Sequence, residues 1–235
     1  PRHDTQLLDE MRKAIEKSTS RKLFFILHCY GSHFSYHQRY PREFAYFQPD
    51  NDVAIAKQHR PMLVNAYDNS VRYTDYVLSR IIDYLGSLEN TSSALLYCAD
   101  HGEDLIDDHR ERFLHASPTT TAYQLYVASL AWFSESYREC FPEKVAAAEA
   151  NATAPATTHA LFHTMADMAS IRGRFLTTKV SLVSPDFDRT APRRYLNDHN
   201  EAVPYRKTGL RPEDMEVFRR YGIELHRAVF RLRKG

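Results

Sequence analysis

The chain has 235 residues, of which 43% are hydrophobic and 26% are charged, proportions that are usual for a globular domain. Its 31 Lys and Arg residues are balanced by 30 Asp and Glu residues, so no global field favours nucleic acid or an anionic membrane. The longest apolar stretches, such as Leu23–Leu27 and Ala94–Ala99, are far shorter than the ~20 residues of a membrane-spanning helix. We therefore expect a globular chain that neither binds nucleic acid nor crosses a membrane itself.

The cysteines indicate neither a zinc knuckle nor a disulfide framework. Cys29, Cys98 and Cys140 lie far apart and form no Cys-x-x-Cys pair. Cys29 and Cys98 fall within apolar runs, which is typical of buried free thiols. The chain begins at Pro1 without a signal segment, so we expect it to be part of a longer protein.

The first third of the chain predicts two helices separated by a strand. Apolar residues at helical spacing predict a helix over Asp4–Glu16, with Asp4 as its N-cap. Leu23–Cys29 is a continuous apolar run, which is typical of a strand buried on both faces. Apolar residues three and four apart then predict a long helix over Val64–Leu85, and Gly86 marks its end.

Two more strands and three helices are predicted downstream. Ala94–Ala99 is the second predicted strand and Tyr126–Phe133 the third, with a polar loop over Asp100–Gln124 between them. Doubly buried strands that alternate with helices favour an α/β layer fold with a largely parallel central sheet. The rest of the chain predicts helices over Val145–Ala150, Thr157–Ala169 and Arg211 to about Phe230, with an irregular segment over Ser184–Tyr205.

The second predicted strand ends in a group of potential metal ligands. It runs into Asp100, His101, Gly102 and Glu103, and ligands bind at the carboxyl edge of open α/β sheets. The Asp-His pair offers one oxygen and one nitrogen, which suits zinc or another borderline divalent ion. Gly102 allows a sharp backbone turn, and Glu103 is a candidate outer ligand. In the alternative interpretation Asp100 caps a helix and His101 is a surface residue.

Two further histidines are candidates for the same site. His33 follows the first predicted strand, directly after Gly31 and Ser32, and His115 follows His101 by fourteen residues. Because the carboxyl ends of parallel strands share one edge of a sheet, we expect His33 to converge with the Asp-His pair. The loop between His101 and His115 would return His115 to the Asp-His pair. The sequence therefore predicts a metal or anion site at this edge.

Four ordered segments resemble the lipid phosphoethanolamine transferases, which belong to the alkaline phosphatase-like and sulfatase superfamily. The segments are Leu27–His33 with Arg39–Pro41, Tyr67–Val77, Asp100–Glu103 with Leu114–His115, and His159–His163, where the family usually has His-Asp-Asn before Phe-His. The similarity is good from about residue 20 to 135 and faint from 155 to 200. It implies an alkaline phosphatase-like α/β/α sandwich, with residues 1–205 as the later part of the catalytic domain and 206–235 as a helical extension.

The resemblance implies a zinc enzyme that moves phosphoethanolamine from a phospholipid donor to a cell-envelope acceptor such as lipid A. It would act at the periplasmic face of a bacterial inner membrane. Asp100 and His101 would be zinc ligands with Glu103 beside them, and His33 and His115 would bind the phosphoryl group or protonate the leaving group. Such a reaction needs neutralised phosphoryl oxygens, an activated nucleophile and a proton source, which zinc and histidine supply.

The resemblance also implies parts that this chain does not contain. The family's nucleophile is a threonine upstream of all four segments, together with another acidic zinc ligand and the membrane helices. Thr119, Thr120 and Thr121 follow the Asp-His pair, and we do not assign any of them as the nucleophile. We therefore expect membrane association through an upstream segment, and a chain that is inactive and binds metal weakly by itself.

Three alternatives stay open at this point. The first is a sulfatase of the same superfamily, which would use calcium and a nucleophile derived from Cys or Ser. The second is a glycerol-phosphate transferase that polymerises teichoic acid. The third is an interaction module on an inactive enzyme scaffold, to which fifteen Tyr and thirteen Phe residues could give an exposed patch. The sequence leaves the acceptor and the oligomeric state open.

Overall fold

Helices make up most of the regular structure in this computed structural model. It describes residues 3–51, 55–115, 120–197, 199, 201–204 and 209–223. The chain divides into two compact units, the first formed by Pro1–Leu88 and Leu105–Phe113, the second by Glu89–Asp104 and Leu114–Gly235. The junction of the two predicted segments, 1–205 and 206–235, falls at residues outside the described part, and that division stays a prediction.

Five of the described α-helices lie where helices were predicted, whereas α3 and α4 were not predicted. They are α1 (Thr5–Lys17), α2 (Arg60–Gly86), α3 (Ala122–Leu125), α4 (Glu135–Cys140), α5 (Pro142–Asn151), α6 (Ala160–Met168) and α7 (Pro212–Arg220). Short 3-10 helices cover Tyr36–Gln38, Arg42–Phe44, Lys57–His59 and Thr178–Val180. Within the described residues, no helix combines the length and the apolar character that a membrane crossing requires.

The strands are short and form three two-stranded sheets in the described part of the chain. They are β1 (Ala94–Cys98), β2 (Asp104–Leu105), β3 (Phe113–Leu114), β4 (Ser129–Phe133), β5 (Arg194–Leu196) and β6 (Ala202–Pro204). β1 pairs with β4 in antiparallel register, from Ala94 opposite Phe133 to Cys98 opposite Ser129. The prediction of a mixed α/β chain is confirmed, but the predicted parallel pairing is wrong for this ladder.

The predicted strand over residues 23–29 is also wrong. These residues form no strand in the structure, and Phe24 and Ile26 are 66% and 78% exposed. A strand exists only where a neighbouring strand satisfies its backbone hydrogen bonds, and none of the three described sheets includes this segment. The run therefore has the composition of a doubly buried strand without the burial.

The first unit is organised around the long helix α2. One face of α2 is buried, with Leu63, Val77 and Ile81 at most 2% exposed. Asn69, also fully buried, accepts a hydrogen bond from the Phe47 N–H at 2.9 Å and donates to the Phe47 carbonyl at 3.0 Å. A buried amide satisfied in this way fixes the loop before α2 against the helix.

The second unit has its main core between β4 and the helices that follow. Five buried side chains form this core: Phe133, Tyr137, Val145, Met168 and Val183. A second cluster joins α3 to α7 through Ala122, Val217 and Phe218. The hairpin of β5 and β6 lies in the segment predicted to be irregular, where its short strands give no periodic signal.

The last helix is shorter than predicted. α7 ends at Arg220, and Gly222 follows with φ +68°, a left-handed conformation that favours glycine. The Ile223 N–H bonds back to the Phe218 carbonyl at 2.9 Å, which is the closing bond of a Schellman turn. The glycine therefore stops the helix, and the predicted residues beyond 223 lie outside the described part.

Candidate metal centre

β1 delivers the Asp-His pair as predicted, and the chain then turns away from the ladder. β1 ends at Cys98, and the Ala99 N–H still bonds to the Ala128 carbonyl at 3.0 Å. Residues 101–103 belong to no helix, so the interpretation in which Asp100 caps a helix is wrong. The segment that carries the candidate ligands is therefore an irregular loop directly after a strand.

Three side chains of this region meet: His101, Glu103 and His115. Each offers one ligand atom, and these atoms lie within 4.8 Å of one another. His101 Nδ1 is 3.6 Å from Glu103 Oε1, and His115 Nδ1 is hydrogen-bonded to the same oxygen. The two imidazole ring centroids are 3.8 Å apart. We call these three residues the metal cluster.

Burial within the metal cluster is uneven, and this matters for its chemistry. The Glu103 side chain is 6% exposed, whereas those of His101 and His115 are 36% and 35% exposed. The Glu103 carboxylate is thus buried, whereas the two imidazoles beside it are partly exposed to solvent. Two nitrogens and one oxygen are a donor set found in catalytic zinc sites, in which three protein ligands leave one position open for water or substrate.

Gly102 is required by a close approach. A Cβ at this position would lie 2.0 Å from the Tyr123 carbonyl oxygen, a distance that no side chain tolerates. The Gly102 N–H also donates to the Gln124 carbonyl at 2.8 Å. Gly102 was predicted to allow a sharp turn, whereas in the structure the backbone of α3 packs directly against it.

The residue after Glu103 is anchored to the same helix. Asp104 is 2% exposed, and its two carboxylate oxygens accept hydrogen bonds from Thr121 Oγ1, at 2.8 Å, and from Gln124 Nε2. Thr121 is also the N-cap of α3, since its Oγ1 accepts from the Gln124 N–H. Hydrogen bonds to α3 on both sides of Glu103 therefore fix the position of its backbone.

Helix α7 in turn fixes α3. Asp214 is fully buried, and its Oδ1 accepts a hydrogen bond from the Ala122 N–H at 2.9 Å while its Oδ2 accepts from the Arg211 N–H at 2.8 Å. Thr121, Gln124 and Asp214 were not predicted from the sequence as supporting residues. The capping box that begins at Arg211 is a signal that identifies Asp214 as a cap, but not its second partner.

Asp100 lies beside the metal cluster and outside it. Its side chain is 87% exposed, its Oδ1 accepts from the His101 N–H at 3.0 Å, and its Oδ2 is 3.8 Å from His101 Nε2. The carboxylate is therefore near one candidate ligand, but it is not among the three groups that converge. Its predicted role as a zinc ligand stays a prediction.

The segment that carries His33 is held by an unexpected anchor. Asp4 does not cap α1 with its side chain; instead its carboxylate accepts hydrogen bonds from the N–H groups of Tyr30, at 3.0 Å, and Gly31, at 2.9 Å. Gly31 has φ +55°, a conformation that favours glycine. The buried carboxylate thus stabilises the turn that precedes His33.

His33 itself is exposed and belongs to the first unit. Its Nδ1 is 2.6 Å from the Phe34 carbonyl oxygen, and its own carbonyl accepts from Arg39 Nε at 2.8 Å. The Arg39 guanidinium lies over the Tyr30 ring, 4.8 Å from its centroid. The metal cluster belongs to the second unit, so the predicted convergence of His33 with Asp100 and His101 stays a prediction.

His163, in α6, has a structural explanation. His163 is 8% exposed and its Nδ1 accepts from the Thr177 N–H at 3.3 Å. Burial, with a smaller contribution from His159, lowers the pKa of His163, so that the neutral ring is favoured. His163 therefore acts as a buried acceptor for the loop after α6.

Comparisons with known proteins identify the family of this chain. The Kdo(2)-lipid A phosphoethanolamine 7''-transferase of Escherichia coli K12 is 37% identical over 141 residues, which is 59% of this chain and 24% of the relative. This chain thus spans about a quarter of the length of that relative.

Solved structures give the same fold. The C-terminal periplasmic domain of phosphoethanolamine transferase EptC from Campylobacter jejuni matches with a TM-score of 0.70 and 28% identity, over 78% of this chain and 58% of that domain. The zinc complex of the periplasmic domain of Escherichia coli EptC matches with a TM-score of 0.72 over 88% of this chain and 57% of that domain. Its 23% identity supports the fold alone. These matches confirm the predicted alkaline phosphatase-like α/β fold. Since the sulfatase family model also matches residues 1–171, the chain belongs to the sulfatase family, within the superfamily that its motifs predicted.

Proposed function

We propose that this chain is part of a zinc-dependent phosphoethanolamine transferase. The enzyme would move phosphoethanolamine from a phospholipid donor to a lipid A-like acceptor at the periplasmic face of a bacterial inner membrane. The observation that carries the proposal is the metal cluster, which lies where the sequence resembles the metal-binding stretch of these transferases. The names of the similar proteins support the same activity.

The donor chemistry favours zinc over calcium. Calcium binds six to eight oxygen ligands, whereas zinc accepts imidazole nitrogen and carboxylate oxygen in a four-coordinate site. Of the metal cluster, His101 and Glu103 would hold the ion, with Asp100 as the further ligand that the resemblance implies. The resemblance assigns His115 to the phosphoryl group instead. When bound, zinc neutralises phosphoryl charge and lowers the pKa of a coordinated hydroxyl. A nitrogen-containing donor set also argues against the calcium-dependent sulfatase alternative.

His115 is suited to binding the phosphoryl group and to moving a proton. The Glu103 carboxylate is the hydrogen-bond partner of His115 Nδ1 and would orient the ring. Nε2 would then be the atom that binds the phosphoryl group or gives a proton to the leaving alkoxide. His33, exposed at its turn, would bind the phosphoryl group.

The test uses the full-length protein, because this chain spans about a quarter of the curated relative described above. We expect purified protein to contain zinc by elemental analysis and to add one phosphoethanolamine group to lipid A, seen by mass spectrometry. His101→Ala and Glu103→Gln should abolish transfer, whereas His159→Gln, an exposed histidine outside the metal cluster, should not. Calcium in place of zinc, or sulfate ester hydrolysis without transfer, would overturn the proposal.

A further inference from the structure

An open apolar cavity lies between α6 and the loop that follows it. Its volume is about 240 Å³, and it is lined by seven residues: Phe162, Ala166, Ile171, Arg172, Gly173, Phe175 and Leu176. We call this feature the α6 patch. It lies in the second unit, and its lining residues come from two turns of α6 and one short stretch of loop.

The rim of the α6 patch exposes large apolar side chains. Phe162 is 56% exposed, Ile171 59% and Phe175 71%. Single exposed apolar residues are normal on protein surfaces, but three around one cavity form a contiguous apolar surface of the kind that marks an interaction site. We therefore expect the α6 patch to bind a partner that has an apolar surface of its own.

The charge around the α6 patch shows which partner fits. Residues 168–185 contain Arg172, Arg174 and Lys179 and no Asp or Glu, and the acidic residues that flank this segment are already bound, Asp167 to Lys144 and Asp186 to Thr178. All three basic side chains belong to exposed residues, and the Arg174 guanidinium lies over the Phe175 ring, 4.6 Å from its centroid. Cations that flank exposed aromatic and aliphatic tips match a surface with anionic headgroups above hydrocarbon.

We propose that the α6 patch docks on an anionic phospholipid surface. Phe162, Ile171 and Phe175 would enter the interface between headgroups and acyl chains, while Arg172 and Arg174 would pair with lipid phosphates. The inference extends the proposed function, because both substrates of that reaction are membrane lipids. It does not depend on catalysis, so vesicle binding and transfer can be measured separately.

A tryptophan placed in the α6 patch would report insertion directly. The chain has a single tryptophan, Trp132, so Trp132→Phe combined with Phe175→Trp leaves one indole on the rim. We expect its emission to shift to shorter wavelength on vesicles of phosphatidylcholine mixed with phosphatidylglycerol, and much less on phosphatidylcholine alone. Leu196→Trp combined with Trp132→Phe is the control, because Leu196 is also exposed, at 60%, but lies on β5, outside the α6 patch. The same shift at both positions, or no shift at residue 175, would overturn the proposal.

Vesicle sedimentation tests the charged part of the α6 patch. Each cation near an anionic surface contributes about fivefold in affinity, so Arg172→Gln with Arg174→Gln should weaken binding roughly 25-fold at low salt. Arg219→Gln with Arg220→Gln, two exposed arginines of α7, should leave binding unchanged. Equal losses in the two double variants, or none in the first, would contradict docking. Phosphoethanolamine transfer without vesicle binding would contradict docking of the α6 patch and leave the proposed function intact. Vesicle binding without transfer would contradict the proposed function and leave docking intact.

Discussion

The carboxylate of Asp214 accepts a hydrogen bond from the backbone N–H of Ala122, 92 residues earlier in the chain. This contact joins the N-terminus of α3 to the first turn of α7, and α3 contacts the backbone of the ligand loop at Gly102. A residue near the end of the chain therefore supports the metal cluster through two successive hydrogen bonds. Neither contact involves a ligand atom.

The first prediction concerns Asp214. Asp214→Ala removes the partner of the buried Ala122 N–H and of the partly buried Arg211 N–H, so we expect it to lower the free energy of unfolding by about 2–4 kcal/mol. Asp214→Asn keeps one acceptor oxygen and should cost less. Urea unfolding measures both changes, with Glu213→Gln on the exposed side of the same helix as the control. If Glu213→Gln lowered the free energy of unfolding as much as Asp214→Ala does, the buried carboxylate would have no special role in stability.

The second prediction concerns the contact between Gly102 and α3. Gly102→Ala places a methyl group against the Tyr123 carbonyl, which must move, at a cost of about 1–3 kcal/mol in stability. Because the displaced backbone carries His101 and Glu103, we also expect zinc affinity to fall by roughly 10- to 100-fold. Isothermal titration with zinc measures this.

Gly173→Ala is the matched control for that experiment. A Cβ at Gly173 would meet no atom within 4 Å, so the same substitution there adds a methyl group without a clash. We expect zinc affinity to stay unchanged in this variant. Normal zinc binding by Gly102→Ala would show that the ligand loop does not depend on its contact with α3.

The longer helices of this chain are predictable because their signal is local, whereas the four-residue α3 and the six-residue α4 were not predicted. The spacing of apolar residues in α2 and the glycine at its end are read within the segment itself, and both agree with the structure. The run over residues 23–29 shows the limit of this reasoning. Its apolar composition predicts burial on both faces, but only neighbouring strands and the layers packed on them provide that burial. Composition does not identify which segments those are.

The metal cluster was predictable only in part for a related reason. His101 and Glu103 follow a recognisable strand, so their place in a site can be inferred from the sequence alone. The contact between Glu103 and His115 depends on the path of the intervening loop, and the contact between Asp214 and Ala122 spans 92 residues of the chain. Residue spacing carries no information on either path, which is why the supporting residues were missed.

The third prediction tests Asp100, the one predicted ligand that lies outside the metal cluster. We expect Asp100→Asn to lower zinc affinity by at least about tenfold, because the carboxylate, 3.8 Å from His101 Nε2, would share the ion with that ring. Cobalt in place of zinc provides a second measurement, since loss of a ligand changes its visible absorption spectrum. Glu139→Gln, an exposed carboxylate on α4, is the control. If Asp100→Asn kept the wild-type zinc affinity and an unchanged cobalt spectrum, Asp100 would not be a metal ligand.

The fourth prediction separates the cysteines by their reactivity towards iodoacetamide. Burial, reinforced by the Asp4 carboxylate, raises the pKa of Cys29 to about 11, and burial also raises the pKa of Cys98. Cys140 is an exposed free thiol. Only the thiolate reacts, so Cys140 should be modified first near neutral pH, and the rate at Cys29 should rise about tenfold per pH unit up to about pH 10.

Peptide mass spectrometry after timed labelling measures the three rates. Labelling in urea is the control, because all three thiols should then react at similar rates and with the same dependence on pH. A rate at Cys29 that levels off near pH 8.5 in the folded chain would contradict the partial burial of this thiol and the raised pKa that follows from it.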